Sequence, residues 1–312
     1  MKRFAVLLLY GCAHAAPVAR GPLVEHVARP EAIDPQADKW LQDQYAYLDP
    51  AAPRANKLVV YLVGANNKPA GGRPMMQELA RMGFHVLAPM YANDYDIRTI
   101  CSPAKDPDDD CHGKIRLEAF EGIDHSPHLE VAPANSVELR VARLLGHLQA
   151  TFPAEGWGAF LEGDKPRWSE IVIAGHSHGA SSSGLIGKVR RVDRVVMLSG
   201  PFDNRDGAPA AWTRRAPATP LDRYYVFSHT QEDQFPQHLK DWEAMGLGAL
   251  GPVTTVDGGK PPFGSSHQLV TGLAPPPGKN PHGVTAAGAS SPAAADGRYV
   301  LEAVFRYLFG RN

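Results

Sequence analysis

Residues 170–180 read EIVIAGHSHGA, and the reading of this stretch decides the fold. Four apolar residues, Ile171, Val172, Ile173 and Ala174, run directly into Gly175-His176-Ser177-His178-Gly179. A continuous, largely β-branched run is the pattern of a strand buried on both faces. The small residues Gly179 and Ala180 beyond it suit a helix that packs closely on that strand. Between the two, Gly-x-Ser-x-Gly sets a serine on a sharp strand-to-helix turn, in a strained backbone conformation that small neighbours permit. The stretch therefore predicts strand, nucleophile elbow at Ser177, and helix, against the competing reading of an ordinary turn matched by chance.

Working outward, the same alternation recurs on both sides. Residues 58–63 (LVVYLV) form a second continuous apolar run, ended by Gly64-Ala65-Asn66-Asn67. Residues 74–82 have helical spacing and stop at Gly83, and 84–90 read as the next strand. Strand, helix, strand implies parallel pairing through right-handed crossovers. Further on, 135–152 places Val137, Val141, Leu144, Leu145 and Leu148 at helical intervals. Residues 195–200, 224–228 and 253–256 read as strands, 236–245 as a helix, and 297–309 as a closing amphipathic helix. Residues 16–53 are rich in proline and alanine and read as an arm on the surface of a domain spanning 54–312.

The alternation breaks over residues 91–133, an insertion carrying the acidic run 106–110. An insertion of this length inside a compact domain is usually functional or a lid. The acidic run lacks the ligand spacing of a calcium loop and reads as a solvated turn. Cys101 and Cys111 bracket a polar segment with no hydrophobic means of holding a shape, and a disulfide closing it would stabilise it by about 2–3 kcal/mol. Two free thiols are the alternative.

The N-terminus points to export. Lys2 and Arg3 precede an apolar run over residues 4–10, too short to span a bilayer. Two processing sites compete. Leu9-Tyr10-Gly11-Cys12 resembles a lipoprotein box that would lipidate Cys12 and tether the protein to a membrane, although Tyr10 stands where a small residue is usual. Ala13-His14-Ala15 fits ordinary signal cleavage after residue 15. Ordinary cleavage would remove Cys12 and implies a periplasmic or secreted location, lipidation implies an outer-membrane lipoprotein, and a cytosolic N-terminal helix is the alternative to export. The net charge of −1 over 312 residues lacks the basic excess of a nucleic-acid-binding face, so no nucleic-acid partner is expected. No obligate protein partner is implied.

A serine hydroxyl is a weak nucleophile near neutral pH and needs a histidine base, itself oriented by an acid. Following chain order, the acid should come after a later strand and the histidine after the last. The strand at 224–228 runs into His229-Thr230-Gln231-Glu232-Asp233, and the one at 253–256 is followed by Gly264-Ser265-Ser266-His267. With elbow, acid and histidine in this order, the chain from about residue 58 onward resembles the α/β-hydrolase superfamily. The resemblance implies an α/β fold with a mostly parallel central sheet and helices on both faces, to which the cysteine pair adds a disulfide-closed polar insertion. It also implies Ser177 as nucleophile, Asp233 as orienting acid and His267 as base, with Glu232 the competing acid. The oxyanion would be held by the NH of His178 and by that of Ala65 or Asn66, or by the Asn66 side chain. Here the chain departs from the HGGG pattern of lipases, and a loop whose asparagines only cap the segment from Pro69 onward is the alternative.

His176 and His178 form a His-x-His without a third ligand nearby, so no metal is expected, and no cofactor is implied. His229 reads as a structural histidine, and His238 and His282 as surface residues. The expected activity is hydrolysis of carboxylic esters, on a small molecule or the end of a polymer, with short or polar groups favoured because the insertion is polar. A peptidase or amidase would use the same parts. A non-catalytic envelope binding protein that kept the fold is the alternative from outside the enzymes.

Overall fold

The computed structural model describes residues 21–311, so the export segment and Cys12 lie outside the described residues. The described chain is built around one nine-stranded sheet. Its strands are β1 (Val24–Ala28), β2 (Gln44–Leu48), β3 (Leu58–Leu62), β4 (His85–Ala88), β5 (Ile171–His176), β6 (Arg194–Leu198), β7 (Tyr224–His229), β8 (Thr254–Thr255) and β9 (Gln268–Thr271). Their spatial order is β1-β2-β4-β3-β5-β6-β7-β9-β8. From β4 to β8 every pairing is parallel, and β2 joins β4 antiparallel.

Chain direction reverses across the sheet at β3. The step from β3 to β4 runs one way, and the steps from β5 through β6 and β7 to β9 run the other. Right-handed crossovers then place the helix α1 (Arg73–Arg81) on one face and the helix after β5 on the other. The helices α2 (Cys111–Glu121), α3 (Val137–Thr151), α4 (His178–Val189) and α5 (Phe235–Ala244) follow in order. The last, α6 (Glu302–Leu308), returns to the face of α1, where Phe309 meets Phe84 edge-on and Arg311 donates to the Met82 carbonyl at 2.8 Å. Such a reversal leaves a crevice at the carboxyl ends of two adjacent strands, here β3 and β5, and ligands of open α/β sheets bind there.

Three expectations change. The segment read as a surface arm instead supplies β1 and β2, because Gln44-Tyr45-Ala46-Tyr47-Leu48 is buried throughout and pairs with β4. The last sheet strand in the chain is β9, formed by Gln268-Leu269-Val270-Thr271, whereas the run at 253–256 supplies only the two-residue β8 at the sheet edge. The insertion is not one long loop, since α2 sits within it with nine of its eleven residues buried. Cys101 and Cys111 are joined in a disulfide, and a small apolar cluster with Ile97 and Ile115 surrounds it. The acidic run folds into a turn in which Asp106 and Asp108 accept from the backbone two residues on. Arg205 donates to the Asp106 and Asp108 carbonyls and closes this turn against the body.

Candidate active site

Ser177 stands between β5 and α4 with φ 58° and ψ −120°, a left-handed conformation costly for a residue with a Cβ. Its neighbours explain how the chain tolerates it. A Cβ on Gly175 would lie 2.3 Å from the Gly179 backbone, and one on Gly179 would lie 2.0 Å from the Leu62 carbonyl oxygen. Both positions are therefore restricted to glycine by contact, and the elbow is pressed against the end of β3. Ser177 itself is half-buried, and its NH is held by the Leu198 carbonyl at 2.9 Å. This combination of switch-point sheet and strained serine turn decides the architecture. The chain has the α/β-hydrolase fold.

No family model matches the chain, and no curated protein aligns with it significantly. Among solved structures it is similar to the apo form of Thermogutta terrifontis esterase 2, at 15% identity over 79% of this chain and 82% of that one, with a TM-score of 0.38. It is also similar to esterase LipW of Mycobacterium marinum, at 14% identity over 80% and 72% with a TM-score of 0.39. A provisional dienelactone hydrolase of Klebsiella pneumoniae gives 10% identity over 80% and 85% with a TM-score of 0.40. Residue roles therefore rest on the geometry of this chain alone.

The α/β-hydrolase arrangement brings a different acid and histidine to the elbow from those expected. Asp233 is exposed, whereas Glu232, the competing acid, is buried beyond the end of β7. Glu232 Oε2 accepts from His282 Nδ1 at 2.5 Å, and Oε1 accepts from the His229 NH at 2.9 Å and the Ser199 hydroxyl at 2.8 Å. Burial alone would raise the Glu232 carboxyl, but the hydrogen bond and charge of His282 outweigh it and hold the group below the usual carboxylate range. His282 follows β9 and packs its ring 4.6 Å from that of His176, the residue just before Ser177. Its Nδ1 is engaged by Glu232, which leaves Nε2 as the nitrogen available to a neighbour, and the side chain keeps 29% of its exposure.

His267 lies at the other edge of the sheet. It immediately precedes β9, and its Nδ1 donates at 2.9 Å to the carbonyl of Tyr224, the first residue of β7, while its ring stacks on Tyr225 at 3.9 Å. Ser177 follows β5, and the strands between are parallel, so the two residues stand at opposite ends of the same layer. His238, expected at the surface, is instead fully buried on α5, with Nδ1 3.0 Å from the Ser228 hydroxyl.

The histidines flanking the serine diverge. His176 Nε2 meets the His282 carbonyl at 2.8 Å, and burial with the neighbouring His282 lowers its pKa to about 4. His178 lies against Tyr91 and Tyr95, and burial with the nearby Arg116 lowers its pKa to about 3, so both rings are neutral near pH 7.

His178 is also the first residue of α4, where helix NH groups lack partners within the helix. The loop after β3 lies alongside, with a Cβ on Gly64 only 3.3 Å from that of Ser177. Of the two NH groups expected to serve the oxyanion, that of Asn66 is committed to the Asn93 carbonyl at 2.9 Å, which leaves that of the exposed Ala65. Asn93 lies in no motif that the sequence displays. Its buried amide donates to the carbonyls of Gly64 and Asn67, both at 2.9 Å, and so fixes the loop in three places.

Arg116 on α2 is likewise outside every motif. It is buried in an ion pair with Asp203 at 2.6 Å, and its Nη1 reaches the His178 carbonyl at 3.2 Å and the Ser182 hydroxyl at 2.9 Å. A cavity of about 430 Å³ opens beside Ser177. Asp94, Tyr95, Asp96 and Arg98 of the insertion wall it, with Phe202 and Gln234 facing them. Its lining is mostly polar, and Arg98 stacks on the Phe202 ring at 5.7 Å.

Proposed function

We propose that the protein is a serine hydrolase of carboxylic esters, with Ser177 as nucleophile, His282 as base and Glu232 as orienting acid. The Glu232–His282 pair packed against His176, one residue from the serine, is the observation that supports this reading. It replaces the Asp233 and His267 of the sequence reading while keeping the chain order of nucleophile, acid and histidine. Ser177 attacks the ester carbonyl as its proton passes to His282 Nε2. Glu232 holds Nδ1–H, which fixes the tautomer that can accept that proton and stabilises the imidazolium formed. The NH groups of His178 and Ala65 donate to the oxyanion, and the α4 N-terminus adds its dipole. The imidazolium gives its proton to the departing alcohol. Water, deprotonated by His282, then releases the acyl group.

Export to the envelope or medium, with or without a lipid on Cys12, belongs to the same reading. The polar cavity lining favours short or polar acyl groups. Labelling with a fluorophosphonate tests the assignment: folded wild-type protein is modified and Ser177→Ala is not. Absence of labelling in folded wild type would overturn the enzyme reading. Across a series of p-nitrophenyl esters, acetate and butyrate should exceed laurate in kcat/KM, and a steep rise with chain length would contradict the substrate preference.

A further inference from the structure

The residue after β6 adopts a conformation that its side chain makes costly. Ser199 has φ 48° and is fully buried. Glycine would occupy this left-handed region without strain, so the serine side chain has to be explained by what it touches. Its Oγ lies 2.8 Å from Glu232 Oε1, 2.9 Å from the His282 carbonyl oxygen and 2.7 Å from the Thr285 hydroxyl. One hydroxyl thus meets the acid, the backbone of the base and the segment that carries the base.

The protons can be assigned. A carbonyl only accepts, so His176 Nε2 carries its proton and donates to the His282 oxygen. Ser199 has a single proton, and the ionised carboxylate is its strongest available acceptor. Thr285, also fully buried, then donates to Ser199 Oγ. The result is a directed chain, Thr285 to Ser199 to Glu232, with the last oxygen of the carboxylate left for His282 Nδ1–H.

Resting on the triad reading above, we propose that Ser199 is a positioning residue that orients Glu232 and holds the His282 segment, so that His282 Nε2 stays directed at Ser177. It touches no reacting atom and acts through the acid and the base. Loss of its hydroxyl leaves Glu232 Oε1 held by the His229 NH alone and removes the acceptor of the Thr285 hydroxyl, loosening the segment over residues 282–285 on one side, while the substrate cavity, walled by the insertion, is untouched.

The test compares Ser199→Ala and Thr285→Val with wild type on p-nitrophenyl acetate, together with the rate of fluorophosphonate labelling and the downfield proton resonance of the Nδ1–H to Glu232 bond. Ser199→Ala should lower kcat by about 10- to 100-fold with KM within about twofold, the size of losing one charge-assisted hydrogen bond in the transition state. Labelling should slow in parallel, and the downfield resonance should shift or broaden. Thr285→Val should give a smaller loss, about three- to tenfold, and carries the test if Ser199→Ala does not fold. A folded Ser199→Ala with wild-type kcat and labelling rate would overturn the proposal. Wild-type protein that is never labelled would instead overturn the triad itself, so the two failures are distinct.

Discussion

Exchanging Glu232 for glutamine is the sharpest perturbation of the site, because it keeps shape and volume while changing which groups can donate. Three donors face the carboxylate: the Ser199 hydroxyl and the His229 NH on one oxygen, and His282 Nδ1 on the other. A glutamine has one oxygen for them. Turned with its NH2 toward His229, it sets two donors against each other in a buried place, which costs about 1–3 kcal/mol. The opposite orientation is therefore preferred, with the oxygen on Ser199 and His229 and the NH2 facing His282. Nδ1 must then accept, so the histidine proton moves to Nε2, and that nitrogen can no longer take the proton of Ser177. Loss of the correct tautomer lowers kcat by about 10³- to 10⁴-fold, equivalent to about 4–5.5 kcal/mol of transition-state stabilisation. Initial rates on p-nitrophenyl acetate at neutral pH, beside Asp233→Asn as control, measure this directly. The exposed Asp233 should be replaceable within about twofold. A Glu232→Gln enzyme within tenfold of wild type, or an Asp233→Asn enzyme that collapses, would refute the assignment.

Reduction of the Cys101–Cys111 disulfide, whose partners are ten residues apart, should cost about 2–3 kcal/mol of stability, read as a lower urea midpoint in dithiothreitol. Because the cavity wall around Asp96 and Arg98 hangs from this bridge, KM should rise more than kcat falls. Asp241 is fully buried beside Asp203, and burial raises its carboxyl to about 8. The folded state thus keeps a proton that the unfolded chain releases near pH 4, so this group lowers stability as pH rises from about 4 to about 8. Asp241→Asn should flatten that decline, and a Tm difference between pH 5 and pH 8.5 equal to that of wild type would count against it.

The parts of the fold legible in the sequence are those where one physical requirement dominates. β3, β5 and β6 had to be continuous apolar runs because both faces are covered, and the elbow had to carry Gly175 and Gly179 because any Cβ there would meet backbone. α2 is not legible in this way because it is buried nearly all round, with polar and apolar residues mixed, so no apolar stripe stands out. Arg116 pairs with Asp203, and Glu118 accepts from the backbone of His125, Ser126 and Val131, so polar side chains do inside the protein what leucines usually do. Hydrophobic periodicity is silent about such a helix. β2 is hidden differently, since its tyrosines bury their rings and keep their hydroxyls near the rim, where Tyr47 donates to Glu25.

The choice of histidine shows how a single strand decides a site. In a parallel sheet the residue just before a strand and the residue just after it lie at opposite edges, separated by the length of that strand. β9 has four residues, which at about 3.3 Å each amounts to roughly 13 Å. Taking 253–256 as the last strand puts His267 on the carboxyl side of the sheet, whereas with β9 in place it stands on the amino side, bonded to the first residue of β7. In the proposed triad the base still follows the last strand, and the two readings differ in which strand is counted as last. Gln268-Leu269-Val270-Thr271 is short and bounded by polar residues, so it competes poorly as a signal with the Val-Thr-Thr-Val run before it. Once it is counted, the chain offers His282 as the next histidine, and Glu232 turns inward to meet it because His229 NH and Ser199 already hold its other oxygen.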